Sequence, residues 1–271
     1  FRSSVYYDEY KALGIEVEDN IKLVNATNPN IETIRNSIVP TQLCQVKYNT
    51  SYAPDFGVFE IGRVAKGLKS DGLVDEHKML AITLFSKTKS VEKLYFELRD
   101  MLATFTDNIK HKSLDYAPAT KAHSYEHPRN LNKIICDGRE LGTIGIVHPV
   151  VSKKLDKKAS IVFAEIDIQE FAQIANSSIS YEEPSKYPAM EIDLSFVTDK
   201  FAPIKAAIED AKSNLVKKIE VVDTYCDGDA KSITTRITFS HPEKTLTREE
   251  VMDIVNTVID KLDLQGIKLK K

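Results

Sequence analysis

Thr247-Arg248-Glu249-Glu250-Val251-Met252-Asp253-Ile254-Val255-Asn256-Thr257-Val258-Ile259-Asp260-Lys261-Leu262 spells one amphipathic helix with its start written in. Thr247 followed three residues later by Glu250 is a capping box, in which each side chain satisfies a backbone N–H that the first turn leaves open. Val251, Ile254, Val255, Val258, Ile259 and Leu262 recur at helical spacing and form a sustained core-facing stripe. Gly266 stops the helix, and residues 267–269 can add a last short strand. Upstream, Ile192, Leu194 and Phe196 alternate with Glu191, Asp193 and Ser195, the period of a half-buried strand. Pro203 then opens a helix with Ile204, Ala207, Ile208 and Ala211 on one face. Residues 219–225 read as a second strand, and Asp227-Gly228-Asp229 supplies turn chemistry. A third strand sets Ile233, Ile237 and Phe239 against Thr234, Arg236 and Thr238 before His241-Pro242 ends it. The order is βαββαβ, a ferredoxin-like plan.

Working outward, Tyr181-Glu182-Glu183-Pro184-Ser185-Lys186-Tyr187-Pro188 holds two prolines within five residues, flanked by charge, and reads as a linker. The division falls there: residues 1–181 form one domain and 184–271 another. The first is mixed. A helix is expected from Pro40 to about Tyr48, strands at 58–61, 79–85 and 161–166, and an amphipathic helix over 90–105 with Val91, Leu94, Tyr95, Leu98, Leu102 and Phe105 inward. Residues 133–136 and 141–147 form a hairpin across Asp137-Gly138. Many strands with interspersed helices and no βαβ alternation give an antiparallel α+β domain.

Composition narrows the function classes. No apolar run reaches the roughly 18 residues needed to span a membrane. The start of the chain lacks a signal-peptide pattern and an initiator Met, so the chain is read as beginning mid-protein. Cys44, Cys136 and Cys226 are far apart and odd in number, which fits reduced cytosolic thiols better than a disulfide framework or zinc cage. Net charge is −3, unlike a protein that holds nucleic acid by charge alone.

Motifs with chemistry are few. His123 and His127 are four apart, a metal-ligand spacing on a helix, but Pro118 and Pro128 argue for a loop and a strand end. His148-Pro149 and His241-Pro242 read as element terminators. No nucleophile elbow, P-loop, HExxH or Rossmann glycine pattern occurs. Gly142-Thr143-Ile144-Gly145 is explained by a hairpin strand, and the Lys153-Lys154, Lys157-Lys158 cluster by a solvated face.

Several segments together resemble the beta subunit of bacterial phenylalanyl-tRNA synthetases. Ile34-Arg35-Asn36-Ser37-Ile38-Val39-Pro40, Tyr48-Asn49 and Phe59-Glu60-Ile61-Gly62-Arg63-Val64 look like one signature of that family. His127-Pro128 followed by Gly142-Thr143-Ile144-Gly145-Ile146-Val147-His148-Pro149 looks like another. The run from Tyr187-Pro188 through Asp193-Leu194, Lys231-Ser232 and Thr245-Leu246-Thr247 to Glu250-Val251 is similar to the family's ferredoxin-fold anticodon-binding domain.

The resemblance implies that the first domain is a relic of the class II synthetase catalytic module, whose live form binds ATP phosphates with arginines. A guanidinium fork fits phosphate bidentately and Lys does not. In this chain the second class II motif places Lys66 at an Arg position, followed by Gly67-Leu68-Lys69. The glycine-rich third motif falls on Glu165-Ile166-Asp167-Ile168-Gln169-Glu170, with acids for glycines and Glu170 for Arg. Acidic side chains there repel a triphosphate and block backbone approach. The expectation is a catalytically dead segment that holds no cofactor and no metal. The whole enzyme, a cytoplasmic heterotetramer of two alpha and two beta chains, would use ATP and magnesium to load tRNA(Phe). Implied partners are the alpha subunit, through an apolar or mixed face of the first domain, and tRNA(Phe); no membrane is implied. Upstream tRNA-binding and editing modules and the first class II motif are expected to lie outside this chain.

On the ferredoxin-like domain, Lys218, Arg236, Lys268 and Lys270 are the candidate RNA-binding residues, alternating with buried positions on the sheet face that the helices leave open. No Phe or Tyr stripe accompanies them, so phosphate contact rather than base stacking is expected. Fourteen Lys and Arg against fifteen Asp and Glu between 184 and 271 keep that domain near neutral. Two readings compete with this one: a free-standing RNA-binding protein, and an active class II-like enzyme, which the missing phosphate arginines disfavour.

Overall fold

The computed structural model describes residues 7–16, 21–26, 32–178, 183, 185–211, 213–227 and 230–270. Two compact units are present, residues 1–179 and 180–271. The expected linker residues Tyr181, Glu182 and Pro184, and the turn residues Gly228 and Asp229, lie outside the described residues.

The first unit is built on a six-stranded antiparallel sheet ordered β1-β2-β6-β5-β4-β3. Its strands are β1 (Asp55–Leu68), β2 (Val74–Ser86), β3 (Asp115–Pro118), β4 (Glu126–Cys136), β5 (Arg139–Val147) and β6 (Ser160–Asp167). β1 and β2 run far past the four and seven residues that alternation marks, because each exposed residue is carried by cross-strand pairing over the whole hairpin. Asp137 and Gly138 both have positive φ, 52° and 75°, the two-residue turn whose twist matches its strands.

Helices cover both faces. On one side lie α1 (Tyr7–Leu13), α2 (Val39–Asn49) and α4 (Pro149–Leu155), packed over Met79, Ala81, Phe85, Ile161 and Phe163. On the other lie α3 (Val91–Lys110) and α5 (Ile168–Gln173), over Leu80, Leu84, Val162, Ala164 and Ile166. Central position in the sheet, covered on both faces, explains why β6 is buried along nearly its whole length. Helix α3 starts as its sequence dictates, with Ser90 accepting from Lys93 N–H. It runs five residues beyond 105, ending where His111 adopts a left-handed conformation. Leu94, Leu98 and Leu102 are fully buried, while Val91, Tyr95 and Phe105 sit at the margin. Gly142 is required by the sheet itself: a Cβ there would stand 2.0 Å from the Glu165 carbonyl oxygen.

The second unit carries β7 (Met190–Phe196), α6 (Phe201–Glu209), β8 (Val216–Asp227), β9 (Ala230–Phe239) and α7 (Arg248–Leu264), with the antiparallel sheet ordered β7-β9-β8. Leu269 bridges Phe196 on the free side of β7, so the last expected strand is reduced to one bridge. Helix α6 begins at Phe201, two residues before Pro203, which is tolerated there because the N–H it lacks would have had no intrahelical partner in the first turn. The Thr247–Glu250 capping box forms as read. Ile204, Ala207, Ile208, Val251, Val255, Val258 and Leu262 close over Leu194, Phe196, Ile233, Ile237 and Phe239, leaving the opposite sheet face uncovered. The architecture is α+β throughout, with antiparallel sheets and a ferredoxin-like second unit.

Candidate functional site

The face of the first sheet beneath α2 is filled by the protein's own polar groups. Arg35 donates from Nη2 to Glu60 Oε1 at 2.6 Å and from Nε to the Arg63 carbonyl at 3.3 Å. Both side chains of this pair are almost wholly buried, at 4% and 6% exposure. Gly62 makes the pair possible, since a Cβ there would lie 2.4 Å from Arg35 Nη2. Glu165, on β6, accepts from the Ile38 backbone N–H at 2.6 Å and from Ser37 Oγ at 2.9 Å. Burial pushes the Glu165 carboxyl above the usual carboxylate range, although these two donors oppose the shift. Gln42 of α2 donates to the Ala81 carbonyl and accepts from Thr83, closing the network over β2. Glu60, Glu165 and the Ala81 carbonyl are thus each met by a donor from residues 35–42.

The positions that resemble class II motifs are located by this fold. Lys66 is exposed near the end of β1, and Gly67 has φ +139° beside a register shift in the β1–β2 pairing. Asp167 caps α5 by accepting from Gln169 and Glu170 N–H, and also accepts from His77 Nδ1. Burial raises its pKa, but the His77 contact and the two backbone donors outweigh that and hold it below the usual value. Glu170 is exposed and stands 3.5 Å from Arg139. A cleft of about 450 Å³ between α2 and β1 is lined by Thr41, Gln42, Gln45, Asn49 and Glu60, with no Lys or Arg among its lining residues. With Glu60 already taken by Arg35, Glu165 by Ile38 and Ser37, and no cation lining the cleft, this face does not fit ATP or its magnesium ion.

His127 and His148 serve the backbone. His127 Nδ1 accepts from Arg129 and Asn130 N–H, and His148 Nδ1 from Val150 N–H. His148-Pro149 therefore starts α4 as well as following β5, where the sequence suggested only a terminator. His123 stacks on Tyr125 in a turn and His127 lies in β4, so the pair shares no helix. Among the described residues no group of three His, Cys, Asp or Glu is placed to hold a metal. No helix among them is long and apolar enough to cross a membrane.

The open face of the second sheet separates the four candidate cations into two pairs. At one end Arg236 forms a bidentate fork on Asp193, 2.8 Å from each oxygen, and lies 3.4 Å from Glu191. Lys218 pairs with Glu220 at 2.7 Å, and Glu220 stands opposite Arg236 in the β8–β9 register. Two cations meet three carboxylates there, so both are partnered within the protein. The Arg236 contact holds Asp193 below the usual carboxylate range. At the other end, Lys268 and Lys270 flank Leu269, which pairs with core-facing Phe196, so by alternation both point to the open face. Lys270 Nζ lies 4.8 Å above the Tyr225 ring and 3.3 Å from Ser232 Oγ. Tyr225 is 48% exposed. Simple alternation from core-facing Ile219 sends residue 225 inward; the irregularity between Val221 and Asp223 re-phases the strand and brings Tyr225 out beside Ser232. No pattern in the sequence marks that bulge.

Comparison with known proteins follows the same division. Residues 1–168 match the family model of the phenylalanyl tRNA synthetase beta chain CLM domain, and residues 185–270 that of the ferredoxin-fold anticodon binding domain. Among curated relatives, the phenylalanine–tRNA ligase beta subunit of Bacillus subtilis is 26% identical over 276 residues, covering 94% of this chain and 34% of the relative. Those of Listeria monocytogenes serotype 4b and Bacillus thuringiensis are 26% and 28% identical, covering 92% and 96% of this chain and 33% and 35% of themselves. The chain spans about a third of the length of the curated relatives it matches. With the CLM model matched over more than half of its residues, this chain belongs to the phenylalanyl-tRNA synthetase beta chain family.

Proposed function

We propose that this chain is a non-catalytic segment of a cytoplasmic phenylalanine–tRNA ligase, supporting the alpha subunit and contacting tRNA(Phe), in an enzyme that uses ATP and magnesium elsewhere. The proposed parts are an inactive class II-like module over 1–181 and an anticodon-binding domain over 184–271. The observation that carries the non-catalytic reading is Glu165. It stands where the resemblance calls for a glycine that lets phosphate approach, and it is buried against Ser37 and Ile38. Freeing that face would mean undoing the Arg35–Glu60 pair as well.

The alpha partner is supported by β1, an edge strand whose outer face exposes Phe59 at 72% and Ile61 at 54%. Large exposed apolar side chains on an unpaired edge invite either a partner or aggregation. The proposed RNA contacts are Lys268 and Lys270 beside Tyr225, with Lys218 and Arg236 contributing from the ion-paired end of the same face. A tyrosine ring with a lysine above it offers a base a stacking surface and a phosphate a cation. ATP–pyrophosphate exchange by the purified chain should stay at background, and the chain should capture alpha in a pull-down. Phenylalanine-dependent exchange, or failure to capture alpha even when the rest of the subunit is supplied, would overturn the reading.

A further inference from the structure

The C-terminal ends of α2 and α4 meet at one place on the first unit. Lys47 Nζ, in the last turn of α2, donates to the Lys154 carbonyl at 2.5 Å. Just beyond, Lys87 donates to the Thr50 carbonyl and pairs with Asp156 at 3.2 Å, so the turn after α2 is tied to the residues after α4 twice over. Tyr48, in the last turn of α2, and Tyr52, just past it, are exposed at 58% and 84%, and Lys153, Lys157 and Lys158 are exposed at and just past the end of α4. Helix α2 contains no acidic residue, and Asp156, the single acid of 149–158, is already taken by Lys87 and the Lys158 N–H. Among the described residues no carboxylate pairs with Lys153, Lys157 or Lys158.

Lysines in the last turn of a helix offset its dipole, and that accounts for Lys47, Lys153 and Lys154 individually. It does not account for Lys157 and Lys158, which lie past the helix, nor for two phenol rings exposed at the end of α2. Unpaired cations and exposed aromatic rings on two adjoining helix ends suit one ligand chemistry, a single-stranded polyphosphate whose bases stack while its backbone meets the lysines. We propose that this surface of the first unit is a second RNA-binding surface, for a single-stranded segment. It rests on the reading that the chain meets RNA, but on residues remote in sequence from the open face of the second unit.

The test is fluorescence anisotropy of the full 271-residue chain with a labelled single-stranded 12-mer oligouridylate, in a Tyr225→Ala/Lys270→Ala background that silences the second unit. Residual binding is expected there. Tyr48→Ala with Tyr52→Ala should weaken it about tenfold at unchanged salt slope, as expected when a base is no longer stacked. Tyr52→Phe, which keeps the ring, should restore most of it. Lys153→Gln with Lys157→Gln should flatten the slope of log K against log salt by roughly 1.4, about 0.7 for each phosphate of a single strand that is no longer neutralised. Residual binding that is absent, that ignores these substitutions, or that is matched by an RNA duplex would overturn the proposal. So would binding to phosphatidylserine vesicles without binding to the oligonucleotide. If Tyr225→Ala and Lys270→Ala change nothing while the first-unit variants do, the present proposal stands and the assignment to the second unit falls.

Discussion

Replacing Arg35 by Met should cost the first unit about 3–5 kcal/mol, because it leaves the Glu60 carboxylate buried without a partner. Glu60 is 6% exposed, and no other cation reaches it at salt-bridge distance among the described residues. Glu60→Leu should cost a similar amount, stranding the guanidinium on the Arg63 carbonyl alone. The native pair is itself imperfect: Arg35 Nη1 is buried with no hydrogen-bond partner, a defect of about 1–3 kcal/mol. The double change Arg35→Met/Glu60→Leu therefore removes two desolvated charges and one orphan donor together. It should fall within about 1 kcal/mol of the native chain. At roughly 2–4 °C per kcal/mol for a unit of this size, the single variants should lose about 6–20 °C and the double variant almost nothing. Scanning calorimetry is the assay, since the chain has two compact units and no tryptophan to report on one of them. Single variants costing under about 1 kcal/mol, or a double variant as unstable as the sum of its parts, would refute the reasoning.

Glu165→Gln should flatten part of the stability–pH profile. The folded pKa is raised, so the native chain binds the extra proton and its stability falls as pH rises from the unfolded carboxylate value through the folded one; a variant with the same slope as the native chain in urea titrations across that window would be decisive against it. Asp193→Asn with Glu191→Gln should release Arg236 and so strengthen tRNA binding with a steeper salt dependence, while unchanged affinity in filter binding would place the RNA surface away from that end of the sheet. Thr247→Ala should cost about 1 kcal/mol, or about 4–8 °C in a chain of residues 184–271 expressed alone, by removing one arm of the capping box. A broad, non-cooperative melt of that segment would mean it depends on the first unit. In the same segment the Lys244 contact and the Thr247 N–H hold Glu250 down to about 2, so its contribution is complete above the unfolded value and lost as pH falls through about 2.

Local periodicity determined the second unit almost completely. The stripe of Val251, Val255, Val258 and Leu262, the Thr247–Glu250 box and the alternation of Ile192, Leu194 and Phe196 are short-range patterns, and short-range patterns survive into the fold when nothing long-range contradicts them. In the first unit the helix at 90–105 and the turn at Asp137-Gly138 were legible for the same reason. The lengths of β1 and β2, the short helices α1 and α5, and strand β3 were not. Their residues are specified by partners far along the chain, as Phe59 is by Ile82, rather than by their neighbours.

For function, the resemblance to the class II motifs singled out Glu165 and Asp167 at glycine positions and Glu170 at an Arg position, acids that carry their chemistry in their identity. Only the tertiary structure decided what each charge does. Arg236 is a candidate RNA contact in sequence and the centre of a carboxylate clamp in space. Tyr225 reads as core by alternation and is turned outward by a bulge. Arg35 and Glu60 are twenty-five residues apart and become one buried pair. A side chain's charge is written in the sequence, but the field and solvent it experiences come from groups that folding brings to it.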